Sequence, residues 1–216
     1  TLSSTTGTST SIPSTMWRSN RLTVTGGFWA MLALALLAGA GDVLPLVLLA
    51  ALCHELGHLG ALTLAGVRVE RLRLTAFGAE LLADTRYLPY GVEILCTLAG
   101  PAVNLALAPL LARLCGDYLL AGANLLLGAF NLLPLANLDG GRALYLLTCW
   151  LTDPPFADRL CRYVGLACGL VLLGAAAAAT VRYGAGLFLL SGALGVLLGS
   201  GCARLGASGP RPTTYK

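Results

Sequence analysis

Long apolar runs with almost no charge are the feature that most constrains this chain. Six such runs can be marked by their interruptions, at about residues 27–40, 46–67, 90–114, 119–151, 164–181 and 185–205. Most are long enough to cross roughly 30 Å of hydrocarbon at about 1.5 Å per helical residue. Only 11% of the 216 residues are charged, against about 25% in ordinary soluble domains. We therefore predict an all-α polytopic membrane protein with six transmembrane helices.

Two segments interrupt this helical pattern. The fourth run is too long for one simple crossing, and Pro134, Asn137 and the Asp-Gly-Gly at 139–141 break it, so an irregular segment should face protein or a watery cavity there. Between the second and third runs, residues 67–74 partly alternate apolar with charged side chains. This alternation predicts a short strand or hairpin between helices 2 and 3, although a basic anchor loop fits the same residues equally well.

The basic residues are distributed unequally between the two sides of the predicted membrane. If the N-terminus lies inside, twelve of the fourteen Lys and Arg residues fall in cytoplasmic segments, and only Arg113 and Arg182 fall outside. This bias predicts a multi-pass protein of the cell membrane with both termini in the cytoplasm. The net charge of +4 is too small and scattered to form a nucleic-acid surface, so we expect the lipid bilayer and no nucleic acid as partner.

Composition also divides the chain into regions. The first fifteen residues hold eleven Ser or Thr, so we expect residues 1–15 to be a disordered tail or an expression remnant. Residues 16–206 should form the six-helix transmembrane domain and residues 207–216 a cytoplasmic tail. The seven cysteines include no Cys-x-x-Cys pair and are interpreted as small hydrophobic residues.

The only two histidines of the chain, His54 and His58, lie in one motif, which reads His-Glu-Leu-Gly-His. On a helix, positions i and i+4 share a face, so both imidazoles can bind one cation while Glu55 reaches a water at the metal. Such a spacing can occur in an inert helix, but three ionisable groups within an apolar run are costly and usually mark function. The motif predicts one Zn²⁺ per chain.

A catalytic zinc site normally has three protein ligands and one open position, so a third ligand must come from elsewhere. No histidine remains, and the choice falls among carboxylates. Counting along the helical runs places Asp139 at nearly the depth of the histidines, because Pro134 allows the fourth run to turn at that level. We favour Asp139, and Glu93, near the start of the third run, is its rival.

Such a site can hydrolyse peptide bonds, since Glu55 would take the proton of the water and deliver it to the leaving amine. Asn104, Asn124 and Asn131 are amides at membrane depth that could stabilise an oxyanion or hold an extended substrate, or simply bond a neighbouring helix. We favour Asn131, which lies just before the broken segment. The alternatives to an enzyme are a membrane zinc carrier or transporter and a zinc-stabilised scaffold.

Three motifs carry a resemblance to a known family. Residues 54–58 are His-Glu-Leu-Gly-His, residues 99–104 are Ala-Gly-Pro-Ala-Val-Asn, and Phe-Asn-Leu-Leu-Pro at 130–134 leads into Leu-Asp-Gly-Gly-Arg at 138–142. Their combination and order resemble the site-2 proteases, which are intramembrane zinc metalloproteases, and most of all the bacterial and archaeal branch that includes the sporulation proteases. The resemblance extends over about residues 25–205.

The resemblance implies a fold, a site and a reaction. It implies six helices, zinc held by His54, His58 and Asp139, Glu55 as the base, and cleavage of transmembrane substrates near the cytoplasmic side, which is regulated intramembrane proteolysis. By position, Asn131 would help to hold the substrate, with Asn104 as a second substrate contact. A membrane-embedded protein substrate and a regulatory membrane protein are the implied partners. The frequent Asn-Pro-Asp-Gly form of the family is Asn-Leu-Asp-Gly here, so this turn lacks its proline.

Overall fold

The computed structural model describes residues 22–37, 39, 41–75, 78–85, 87–183 and 214–215. The helices are α1 (Gly26–Leu37), α2 (Leu44–Leu64), α3 (Tyr90–Leu110), α4 (Tyr118–Asn131), α5 (Asp139–Leu151) and α6 (Pro154–Tyr183). A single π-helical turn, Leu111–Cys115, continues α3. The strands are β1 (Leu22–Val24), β2 (Val69–Thr75), β3 (Gly78–Ala83) and β4 (Thr214–Tyr215). The described part of the protein is therefore mostly helical, with one small sheet.

Three stretches in the described ranges are long and apolar enough to cross a membrane, namely Leu44–Leu64, Tyr90–Cys115 and Pro154–Arg182. Helices α1 and α4 are apolar but shorter, with 12 and 14 residues. These lengths agree with a polytopic helical protein, whereas the count of six crossings stays a prediction. The sixth apolar run, the N-terminal tail and all but residues 214–215 of the C-terminal tail lie outside the described residues.

The small sheet combines distant parts of the sequence, since β2 and β3 lie between α2 and α3, β1 precedes α1 and β4 follows α6. Its strand order is β1-β2-β3-β4, and β2 and β3 form an antiparallel hairpin in which Leu72 faces Leu81. Residues 67–74, for which a strand and a basic loop were the two alternatives, contribute most of β2. Leu81 packs with Leu62 of α2 and Cys96 of α3 in a buried cluster, so the hairpin lies against these two helices.

The fourth apolar run divides into α4 and α5 where the sequence predicts a break. Pro134 cannot continue a helix, and the following residues turn back, with the Leu138 N–H donating to the Leu135 carbonyl at 2.9 Å. The two glycines after Asp139 then allow close packing. A Cβ on Gly140 or Gly141 would collide with carbonyl oxygens of this turning segment. The first turn of α5 can therefore lie directly against the broken segment.

Glycines also bring α3 close to its neighbours on both sides. A Cβ on Gly57 of α2 would lie 2.8 Å from the Ala99 carbonyl oxygen of α3. A Cβ on Gly128 of α4 would lie 3.1 Å from the Asn104 Cβ. Small residues at helix crossings allow such close approach in membranes. Helix α3 therefore packs closely against both α2 and α4, which helps to bring the three motifs of the sequence together.

Candidate metal centre

Three buried side chains from distant parts of the chain converge on one point. His54 and His58 lie on one face of α2, and Asp139 is the first residue of α5. The two Nε2 atoms are 3.1 Å apart, and Asp139 Oδ2 lies 3.0 Å from that of His54 and 3.3 Å from that of His58. Within the described ranges, these three residues form the group of side chains that could hold a metal ion.

The outer nitrogens of both imidazoles are held by oxygen acceptors. His54 Nδ1 lies 3.0 Å from Asn104 Oδ1, and His58 Nδ1 lies 2.9 Å from the Cys96 carbonyl oxygen. Because these oxygens can only accept, each neutral ring carries its proton on Nδ1 and presents the Nε2 lone pair to the centre. Two lone pairs and a carboxylate oxygen at such short distances repel one another unless a cation lies among them. Imidazole and carboxylate donors suit zinc.

Two oxygen atoms near this point favour a metal ion and a water there. Asp139 Oδ2 and Glu55 Oε2 are both buried, and neither has a hydrogen-bond partner among the described residues. Buried polar atoms are almost always satisfied in folded proteins, so each oxygen calls for a partner. A cation would satisfy Asp139. A water that donates to Glu55, which follows His54 directly on α2, would satisfy the second oxygen.

Asn104 forms hydrogen bonds with both neighbouring helices, α2 and α4. Its amide nitrogen donates to the Ala50 carbonyl and to Asn124 Oδ1, both at 3.1 Å, and these two bonds direct its own oxygen towards His54. Asn124 in turn donates to the Leu120 carbonyl at 2.9 Å. Asn104 is fully buried behind His54. This position favours a role in orienting the His54 imidazole rather than the contact with substrate that was also expected from the sequence.

Glu93 and Asn131, two further candidates from the sequence, lie outside the cluster. Glu93 Oε1 accepts from Arg142 Nη2 at 2.7 Å and from Thr85 Oγ1 at 3.1 Å, so the rival carboxylate is bound elsewhere. Asn131 ends α4, is half-buried and donates to the Leu127 carbonyl of its own helix at 3.0 Å. Asp139 is therefore the carboxylate that the fold brings to the histidines.

Sequence reasoning did not identify two of the groups around the site. The Cys96 carbonyl, which orients His58, is a backbone atom and carries no side-chain signature. Arg142 is visible in the Leu-Asp-Gly-Gly-Arg motif, and its spacing of three residues from Asp139 on one helix face could have indicated a role near the site.

Gly100→Ala is expected to weaken metal binding, because a Cβ at this position would overlap the His58 ring, with Nε2 as the nearest atom. We expect the zinc dissociation constant to rise about tenfold, at the low end of the effects seen when groups around metal ligands change. Competition with a chromogenic chelator measures this constant. Gly60→Ala on α2, the helix that carries His58, is the control, since a Cβ there meets nothing within 4 Å. Equal affinities in all three proteins would contradict this packing of His58.

Three curated relatives with sequence similarity have names that refer to a zinc metalloprotease or to sporulation. No protein family model matches the chain. Zinc metalloprotease Rip3 of Mycobacterium tuberculosis is 39% identical over 120 residues, which is 49% of this chain and 30% of Rip3. Zinc metalloprotease MJ0392 of Methanocaldococcus jannaschii is 30% identical over 128 residues, covering 54% and 34%. Stage IV sporulation protein FB of Bacillus subtilis is 34% identical over 128 residues, covering 55% and 44%. The matches thus span less than half the length of these relatives.

A solved structure shares the fold. The site-2 protease from Methanocaldococcus jannaschii superimposes with a TM-score of 0.62 over 83% of this chain and 88% of that chain, at 23% sequence identity. The similarity in fold covers far more of this chain than the sequence matches do. Together, the named relatives and the shared fold confirm that the chain resembles the site-2 protease family of intramembrane zinc metalloproteases.

Proposed function

We propose that this protein is an intramembrane zinc metalloprotease that hydrolyses peptide bonds of transmembrane substrates near the cytoplasmic side. The observation that carries the proposal is the buried cluster of His54, His58 and Asp139, with the Glu55 carboxylate on the same helix as the histidines. Two histidines, a carboxylate and a neighbouring glutamate are the parts that zinc-dependent hydrolysis needs. The names of the zinc metalloprotease relatives support the same chemistry.

We propose a role for each of these residues. His54, His58 and Asp139 would hold one Zn²⁺, which when bound supplies the Lewis acidity that polarises the scissile carbonyl and activates water. Glu55 takes the proton from the attacking water and gives it to the leaving amine. Asn104 fixes the orientation of the His54 ring through the hydrogen bond at 3.0 Å, so that its Nε2 keeps facing the centre.

The position of the cluster along its helices supports cleavage close to the hairpin side of the protein. His58 precedes the end of α2 at Leu64 by six residues, and Cys96 follows the start of α3 at Tyr90 by six residues. At about 1.5 Å per residue, the cluster lies roughly 9 Å from the ends of both helices. The β2–β3 hairpin connects the end of α2 to the start of α3. Its Arg71 and Arg73 favour a position of the hairpin on the cytoplasmic side of the membrane.

The substrate has to present an extended peptide to this centre. The peptide groups of a transmembrane helix are occupied by internal hydrogen bonds, so the substrate must unwind locally before water can attack. Asn131 is the residue that we propose to hold such an unwound segment. Its bond to the Leu127 carbonyl uses one of its two N–H donors and leaves the amide oxygen as an acceptor for a substrate backbone.

The topology and partners belong to the same proposal. We propose that residues 16–206 form a six-helix transmembrane protease domain, and that the disposition of basic residues places both termini in the cytoplasm. A multi-pass protein of this kind meets its substrate within the lipid bilayer. A membrane-embedded protein substrate and a regulatory membrane protein are the proposed partners.

The decisive experiment is cleavage by the purified protein in liposomes. A panel of single-span substrates is incubated with the protein before and after a zinc chelator, and again after Zn²⁺ is restored. Cleavage should stop with the chelator and return with the metal, because the reaction requires the bound ion. Zinc flux into the liposomes without cleavage of any substrate would instead favour the carrier, and tight zinc binding with neither activity would favour the scaffold.

A further inference from the structure

Helices α3 and α5 are connected at two levels near the metal centre. At the level of the site, the carbonyl of Cys96 on α3 orients His58, which faces Asp139 at the start of α5. At the second level, Glu93 Oε1 accepts from Arg142 Nη2 at 2.7 Å. Glu93 precedes Cys96 by three residues and Arg142 follows Asp139 by three, so each pair shares a face of its helix. The ion pair therefore joins the two helix faces that also carry the site.

The ion pair is largely sheltered from solvent. The side chains of Arg142 and Glu93 are 21% and 12% exposed. Charges that are partly removed from water are screened only weakly, and separating them leaves each one without its partner in a medium of low dielectric constant. Thr85, which is buried after strand β3, donates to the same Glu93 oxygen at 3.1 Å. Glu93 thus holds α5 to α3 and to the segment that follows the hairpin.

The start of α5 has little local support of its own. Leu138 occupies the N-cap position with φ −114° and ψ 160°, and its side chain makes no capping hydrogen bond. An apolar residue cannot accept from the first N–H groups of a helix as Ser, Thr, Asn or Asp does. The placement of Asp139, the first residue of this helix, therefore depends on the contacts that the first turn of α5 makes with other segments.

We propose that the Glu93–Arg142 ion pair is a positioning device that sets where the Asp139 carboxylate lies relative to the two imidazoles. Both are positioning residues, since neither lies among the three groups that converge on the metal centre. The inference rests on the proposed zinc site and adds that the affinity of this site depends on an interaction one helical turn away. Removing either charge would free the first turn of α5 to shift and the carboxylate to leave the histidines.

Arg142→Gln and Glu93→Gln test this inference in the whole chain of 216 residues. We expect each variant to bind zinc about tenfold more weakly in chelator competition, as for other groups that orient metal ligands. The visible absorption spectrum of the Co²⁺-substituted protein should change in both, because that spectrum reports ligand geometry. Arg142→Lys keeps the charge and should recover part of the affinity. The double variant should be no weaker than the worse single variant, as expected for two residues that act as a pair.

The controls separate a positioning role from a general loss of stability. Arg159→Gln removes the same charge from an exposed site on α6 and should bind zinc like the parent protein. Thr85→Val removes only the hydrogen bond to Glu93 and should show a smaller loss in the same direction, which keeps the test open if a charge variant fails to fold. Variants that unfold at lower temperature but retain the parent affinity and cobalt spectrum would overturn the inference. Absence of zinc binding in the parent protein would overturn the proposed function itself.

Discussion

Glu55→Gln is expected to abolish peptide hydrolysis while the protein keeps its zinc. The amide has nearly the shape of the carboxylate but cannot take a proton from the attacking water. General bases typically contribute about 10²- to 10⁴-fold to a rate, so we expect kcat to fall by about that factor. The metal should remain, since His54, His58 and Asp139 form the cluster without Glu55. Cleavage of a single-span substrate and zinc content, measured on the same preparation, check both halves of the result.

Asp117→Asn is the matched control for this substitution. Asp117 caps α4 by accepting from the Leu120 N–H at 2.9 Å, and asparagine caps helices about as well. The same change from carboxylate to amide, far along the chain from the cluster, should leave kcat and zinc content unaltered. A Glu55→Gln protein that cleaves at the parent rate would show that another group is the base. A parent protein that holds zinc and cleaves nothing would favour a scaffold.

The convergence of the metal-binding side chains could be predicted because it follows from regular helix geometry. His54 and His58 share a helix face by their spacing of four residues, whatever the rest of the fold does. Asp139 could be placed at their depth because the helical rise is constant and Pro134 fixes where the first helix of the fourth run must end. The structure brings Asp139 Oδ2 within 3.0 Å of His54 Nε2, as this counting predicts.

The surroundings of the cluster could not be predicted in this way, because they depend on how each helix is rotated about its axis. Depth alone made Glu93 a rival ligand, but the rotation of α3 brings its carboxylate to Arg142 instead. Asn104 lies at membrane depth like any substrate-binding amide, and only the close crossing of α2 and α3 shows that it faces His54. Spacing in the sequence records height along a helix, whereas the direction of a long side chain depends on its neighbours in space.

Asp139→Ala is expected to remove zinc from the protein and, with it, all cleavage. The substitution leaves two neutral imidazoles and takes away the one negative charge among the three converging groups. Asp139 Oδ2 lies 3.0 Å from His54 Nε2 and 3.3 Å from His58 Nε2, so its loss removes the oxygen that lies near both Nε2 atoms. Loss of a direct ligand should exceed the 10- to 100-fold effect typical of outer contacts, so we expect the affinity to fall by more than about a hundredfold. Metal analysis after dialysis against a weak chelator measures this as a change from one zinc per chain to almost none.

A parallel substitution of Glu93, the rival carboxylate, shows which of the two residues is the third ligand. Glu93→Ala should retain most of its zinc at saturating metal, because it removes the contacts with Arg142 and Thr85 and leaves all three converging groups in place, whereas Asp139→Ala should retain almost none. Asp153→Asn is the neutral control, since Asp153 is an exposed residue whose carboxylate accepts from the Phe156 N–H at 2.7 Å at the start of α6. If zinc content were unchanged in Asp139→Ala and lost in Glu93→Ala, Glu93 would be the third ligand and α3 would have to rotate to bring it there. The two partly buried contacts of Glu93, with Arg142 and Thr85, oppose such a rotation, and for this reason we expect Asp139 to be the ligand.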